Sequence, residues 1–143
     1  MLGRKSYTRE EFESGKAAVE QQLAKYRKLA GAVSSNGSTN GLQSSLGNFE
    51  TMFFNNMVLV LDRYYVHRLR MVTGKDGNAL NAVELIADSL MNTDGVMRGN
   101  NVIKYVPKDS VTKLEIGDQI RLTEKQFERL AAAFFKELEQ KFL

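Results

Sequence analysis

Residues 49–72, FETMFFNNMVLVLDRYYVHRLRMV, are apolar on almost every side of a helix, and this restricts the fold more than any other segment. Helical spacing sets Phe49, Phe53, Val60, Tyr64 and Met71 on one line, and Phe54, Leu61, Tyr65 and Val72 on a second. Met52, Leu59 and Val66 form a third. A helix apolar on so many sides needs other helices or an oligomer interface to cover it. Asn55, Asn56, Asp62 and Arg63 interrupt the run, which makes it too short to span a bilayer.

The remaining segments supply the covering elements. Thr8 and Glu11 form a capping-box pattern, and Phe12, Val19, Leu23, Tyr26, Ala30 and Val33 recur at helical spacing, so a first amphipathic helix is expected over 8–33. Gly15 weakens it by about 1 kcal/mol relative to alanine. Residues 34–41, SSNGSTNG, are small and polar and read as a flexible linker that lets the first two helices form an antiparallel hairpin. The central helix is expected from about Leu42 to Val72, ending at Thr73-Gly74. Asn78 then caps a third helix carrying Leu80, Val83, Ile86, Ala87 and Leu90, closed by NTDG at 92–95.

From Val102 the period changes. VIKYV at 102–106 is β-branched and stops at Pro107, while KLEIGDQIRL at 113–122 has alternating arms about Gly117-Asp118. A small antiparallel hairpin or three-stranded meander is expected here. Thr123 and Gln126 make a second capping box, and Phe127, Leu130, Phe134, Leu138 and Phe142 mark a last helix. Ala131, Ala132 and Ala133 leave room for another helix to approach it. The expected fold is therefore mainly α with a small β element, about four helices around 49–72, in a single domain covering 1–143.

Composition removes several function classes. The chain has no cysteine, hence no thiolate ligand or nucleophile, which suits a reducing cytosol. With one histidine it cannot supply the two Glu-x-x-His pairs of a bundle di-iron centre, and a catalytic zinc would rest on His67 and carboxylates alone. No metal and no cofactor are expected. The charged start, MLGRKSYTREE, lacks a signal-peptide core, which points to a cytoplasmic protein without a membrane segment. A net charge of +3, from 20 basic and 17 acidic residues, is too small an excess to indicate nucleic acid.

Two stretches, FFNNMVLVLDRYYVHRLRMVTGKDGN and LTEKQFERLAAAFFKELEQKF, resemble a group of small uncharacterised actinobacterial proteins. The resemblance runs from about residue 4 to the C-terminus, with the 34–41 linker its least typical part. It implies a bacterial cytosolic protein and brings no activity, ligand or site residue with it.

Three features could carry function. On the central helix Asn56, Arg63 and Arg70 are seven apart, Asn55 and Asp62 likewise, with Met52, Leu59 and Val66 between the lines. This strip is either a half-covered face whose polar groups pair within the chain, or the lining of a cleft or subunit interface. Asn55 and Asn56 suit a device that sets register in an interface also containing Leu59 and Arg63. His67 opens a basic cluster with Arg63, Arg68, Arg70 and Lys75, and reads either as a half-packed histidine or as a base lacking any evident nucleophile. The loop Thr73–Asn78 combines two glycines, Lys75 and the start of a helix, which can hold an anion on backbone amides with help from Arg68, Lys75, Asn78 and His67. Its bland alternative is a plain connector. It lacks the Walker A spacing and the EF-hand ligand order.

The carboxylate clusters Glu10/Glu11/Glu13, Glu124/Glu128 and Glu137/Glu139 read as solvated helix faces, and the aromatic residues as core. The expected function is accordingly a non-enzymatic homodimer acting through protein contacts. The alternative is a small-anion or nucleotide-phosphate binder at the 73–78 loop. Nucleic-acid binding through Arg63, Arg68, Arg70 and Lys75 comes third and would show a steep salt dependence.

Overall fold

The computed structural model describes residues 6–35, 39–67 and 72–143, with the side chain of His67 outside the description. Four α-helices account for most of it: α1 (Arg9–Ser35), α2 (Asn40–Leu61), α3 (Ala79–Asn92) and α4 (Glu124–Phe142). A π-helical turn, Asp62–His67, continues α2, and a short 3₁₀ turn covers Pro107–Asp109. Among the described residues no helix is long and apolar enough to cross a membrane.

Both capping boxes form. The Glu11 amide donates to Thr8 Oγ1 and the Thr8 amide to Glu11 Oε2, each at 3.0 Å, and Thr123 and Gln126 repeat the exchange at α4. The apolar faces expected for α1, α3 and α4 all turn inward. Phe12, Val19, Leu23 and Tyr26 meet Leu80, Val83 and Ile86, with Phe127, Leu130, Phe134, Leu138 and Phe142, in one hydrophobic cluster. From α2, Phe54, Met57, Val58 and Leu61 enter this cluster, followed by Tyr65 from the π turn. The N-terminal segment is tied down by the Tyr7 amide, which donates to the carbonyl of Phe142 at 2.8 Å.

Three sequence expectations need correction. The 34–41 linker is shorter than its composition suggests: α1 runs through Ser35, and Thr39 Oγ1 accepts from the Leu42 amide, so Asn40 and Gly41 are already helical. Residues 36–38 lie outside the described residues. The central α-helix stops at Leu61 rather than Val72, passing into the π turn where Tyr65 is bonded to α1 and the N-terminal segment. Residues 68–71 lie outside the description, and by Val72 the chain is no longer helical.

The β element is absent, and no strand forms among the described residues. In place of a 102–106 strand, Asn100 Oδ1 accepts from the amides of Val102 and Ile103 at 2.9 and 2.8 Å. That side chain takes the donors a ladder would have used. The 113–122 arms do not pair with each other either. Lys113 has φ 56°, which breaks the extended run, and the Leu114 carbonyl accepts from the Tyr105 hydroxyl at 2.6 Å. The turn falls one residue earlier than expected, with the Asp118 amide on the Glu115 carbonyl at 3.1 Å and Gly117 at φ 97°. A single positive φ at the third position suits glycine in a type II turn. The returning arm bonds instead to the segment after α3: Met97 exchanges hydrogen bonds with Gly117 and Asp118, and the Ile120 amide reaches the Gly95 carbonyl, all at 2.8 Å. One antiparallel bridge, Val96 to Gln119, is all that remains of the expected sheet.

Candidate interaction face on the second helix

The all-round apolarity of α2 resolves into two faces. Phe54, Met57, Val58 and Leu61 point into the core. Outward, Leu42, Ser45, Phe49, Met52, Asn56, Leu59 and then Arg63, at the start of the π turn, follow one another at alternating steps of three and four. That is the a/d spacing of a coiled-coil seam. Every one of the seven is exposed or half-exposed. Met52 retains 66 % of its surface and Leu42 and Phe49 45 % each, large values for apolar side chains on a structured helix.

The face is also nearly free of charge. Between Asn40 and Leu61 the only ionisable side chain is Glu50, and it is engaged: the Tyr26 hydroxyl donates to Glu50 Oε1 at 2.5 Å. Burial, reinforced by the Glu50 carboxylate, raises the Tyr26 pKa well above the usual phenol value. Tyr26 stacks on Phe53 with ring centres 5.2 Å apart, and Phe53 on Phe49 at 5.7 Å. This ladder, with Gln22, Lys25 and Leu29, lines a groove of about 330 Å³ along one flank of the seam. On the other flank Leu59, Asp62 and Arg63 meet Ala87, Asp88 and Met91 of α3 around a cleft of about 440 Å³.

The four residues expected at an interface divide between these surroundings. Asn56, Leu59 and Arg63 lie on the outer face. Asn55 does not: its Nδ2 donates to the Ile120 carbonyl at 2.9 Å, and its Oδ1 accepts from the Leu122 amide at 3.1 Å. It satisfies the backbone of an extended segment that has no strand partner there. The polar strip read from the sequence thus combines an intrachain clamp with an open face. The seven-residue spacing seen at Asn56 and Arg63 runs upstream through Phe49 to Leu42, a signal that the linker composition masked.

The 73–78 loop is closed on itself. Asn78 Oδ1 accepts from the amides of Leu80 and Asn81 at 2.8 and 3.1 Å, the donors an anion would need at the α3 N-terminus. Asn78 Nδ2 donates to the Thr73 carbonyl at 2.8 Å and to Asp76 Oδ1 at 2.7 Å. The Gly77 amide donates to Oδ1 of Asn81, a fully buried residue. The hydrogen bonds from Asn78 hold the Asp76 carboxyl below the usual carboxylate range, so the loop keeps its negative charge. Lys75 is exposed and its carbonyl accepts from the Lys104 amide at 2.9 Å. Of the four ligand residues expected, Lys75 and Asn78 lie in this loop, while Arg68 and the side chain of His67 fall outside the described residues. Among the described residues no three His, Asp or Glu side chains gather as a metal site.

No family model, curated protein or solved structure matches this chain. The geometry of α2 is therefore the main guide to function.

Proposed function

We propose that this protein acts by self-association, a second copy covering the outer face of α2, and that it works through protein contacts rather than catalysis. One observation carries the proposal: a seven-position a/d seam, Leu42 to Arg63, lies outside the core of its own chain. A helix face of this spacing suits burial against another helix, and among the described residues Leu42, Phe49 and Met52 of this face stay exposed. A two-fold interface sets a patch against its own copy, so a charged patch would repel itself. Between Leu42 and Leu59 this seam brings no charge to such a contact. Asn56 adds a polar group inside the seam, where asparagine selects register at some cost in stability.

Light scattering tests the proposal. A mass of twice the 16.1 kDa chain is expected at micromolar concentration, falling toward one chain on dilution. Met52→Asp places two carboxylates in the contact and is expected to give a monomer with an unchanged circular dichroism spectrum. A wild-type mass of one chain at high micromolar concentration, or a Met52→Asp dimer as stable as the wild type, would overturn it.

A further inference from the structure

We infer that the groove between α1 and α2 binds a small aromatic carboxylate, its ring extending the Tyr26–Phe53–Phe49 stack and its carboxylate meeting Lys25. The ring stack carries this. Phe53 lies at 17° to Tyr26 and Phe49 at 26° to Phe53, so the rings follow one another nearly parallel. Among the described residues the other aromatic pairs are edge-on or tilted. Tyr26 is buried, Phe53 half-buried and Phe49 exposed, so the stack opens to solvent at its outer end. A further planar ring can join it there at the same offset spacing. Leu29, 51 % exposed, lines the groove from α1, and a volume of about 330 Å³ suits a small ligand.

Charge selects the other end of the ligand. Lys25 carries the only formal charge among the residues lining the groove. Arg27, half a turn further along α1, is paired with Glu124 at 2.8 Å and Glu128 at 2.6 Å, whereas Lys25 has no ion pair among the described residues. No charged residue lies between Leu29 and Phe49 to compete for it, and Glu50 already accepts the Tyr26 hydroxyl. An apolar groove with one unpaired ammonium group matches an apolar ligand with one negative charge. All of these residues come from one chain, so the inference does not rest on self-association.

The probes are 2-naphthoate, its neutral counterpart 2-naphthylmethanol, and decanoate as an aliphatic carboxylate. The chain has no tryptophan, so naphthyl fluorescence is read without that background. Saturable binding of 2-naphthoate is expected below millimolar concentration, more tightly than either of the other two. Lys25→Gln removes the charge and is expected to weaken 2-naphthoate about fivefold while leaving 2-naphthylmethanol unchanged. Phe49→Leu keeps apolar surface but ends the stack at Phe53, and is expected to weaken 2-naphthoate about fivefold while leaving decanoate unchanged. Both substituted side chains are exposed, and an unchanged circular dichroism spectrum checks that each variant folds.

The absence of saturable 2-naphthoate binding at millimolar concentration would overturn the inference. So would an affinity that Lys25→Gln leaves intact, or decanoate bound as tightly as 2-naphthoate. Light scattering on the same samples reads self-association separately. Binding by a monomeric wild type would remove the self-association reading and keep this one, and a dimer that binds no naphthoate would do the reverse.

Discussion

The ring of Tyr65 occupies the space that a side chain at residue 15 would need: a Cβ built on Gly15 would stand 2.6 Å from Tyr65 Cζ, with the hydroxyl nearer still. The hydroxyl continues past Gly15 to donate to the Phe12 carbonyl at 2.9 Å. From the other side the Tyr7 hydroxyl donates to the Tyr65 carbonyl at 3.2 Å. Tyr65 is fully buried, edge-on to Phe135 with ring centres 5.7 Å apart. The glycine that weakens α1 locally is thus the residue that lets the π turn dock against it.

Gly15→Ala reverses the usual helix rule. On an exposed helix the change stabilises by about 1 kcal/mol. Here the methyl group meets a ring held at both its hydroxyl and its backbone, and overpacking of this kind costs about 1–3 kcal/mol. A fall in denaturation midpoint with an unchanged m-value is the expected outcome. A midpoint at or above wild type would show that Tyr65 moves aside freely.

Tyr65→Phe separates the hydrogen bond from the packing. Losing one buried bond lowers stability by about 1 kcal/mol near neutral pH. Burial, with a smaller contribution from Glu13, raises the Tyr65 pKa above that of a free phenol, so the folded state holds the proton where the unfolded chain releases it. Stability from this source is complete below about pH 10 and falls as pH rises beyond it. Unfolding free energies across that range are expected to decline less steeply in Tyr65→Phe than in wild type. Tyr26, whose pKa is raised in the same direction, keeps part of the slope in both.

Asn55→Ala removes both bonds to the 120–122 segment. Ile120 and Leu122 are 1 % and 2 % exposed, so their backbone groups have little access to water as replacement. A loss of about 2 kcal/mol is expected, with faster hydrogen exchange at the Leu122 amide. Since Asn55 does not lie on the outer face of α2, the proposed self-association predicts that the variant and the wild type have the same mass in solution. Loss of association together with stability would place Asn55 in the interface after all.

What the sequence reveals depends on the distance over which the structure is determined. Local chemistry was legible: Thr8 with Glu11, Asn78, and Thr123 with Gln126 fix three helix starts through hydrogen bonds within a few residues. The alternation at 113–122 misled because strand pairing is non-local. Leu114, Ile120 and Leu122 are buried as the pattern implies, yet the returning arm found Gly95 and Met97 as its partners. Asn55 and Asn56, adjacent and chemically identical, have different environments, because only the fold brings Ile120 and Leu122 beside one of them. Gly15 carried no sign of its role, since its partner lies 50 residues away. The outer seam was visible as apolar excess, but its openness required knowing which helices stand elsewhere.

The 73–78 loop is expected to ignore anions. Its residue types, glycines and lysine ahead of a helix, are those of a phosphate cradle, and the N-terminus of α3 carries the partial positive charge that such sites use. The hydrogen bonds within the loop argue against such a site. Asn78 already holds the Leu80 and Asn81 amides, Asn81 holds Gly77, and Asp76 remains ionised beside them. An arriving phosphate would have to displace the cap and approach a carboxylate. Titrating wild-type protein with inorganic phosphate to millimolar concentration should leave the amide resonances of Gly77, Leu80 and Asn81 in place. Asn78→Ala removes the cap, at about 1 kcal/mol of stability, and lets the Asp76 pKa rise toward its ordinary value. Saturable shifts at those three amides in the wild type would show that the cap opens for a ligand, and would return the loop to consideration as a site.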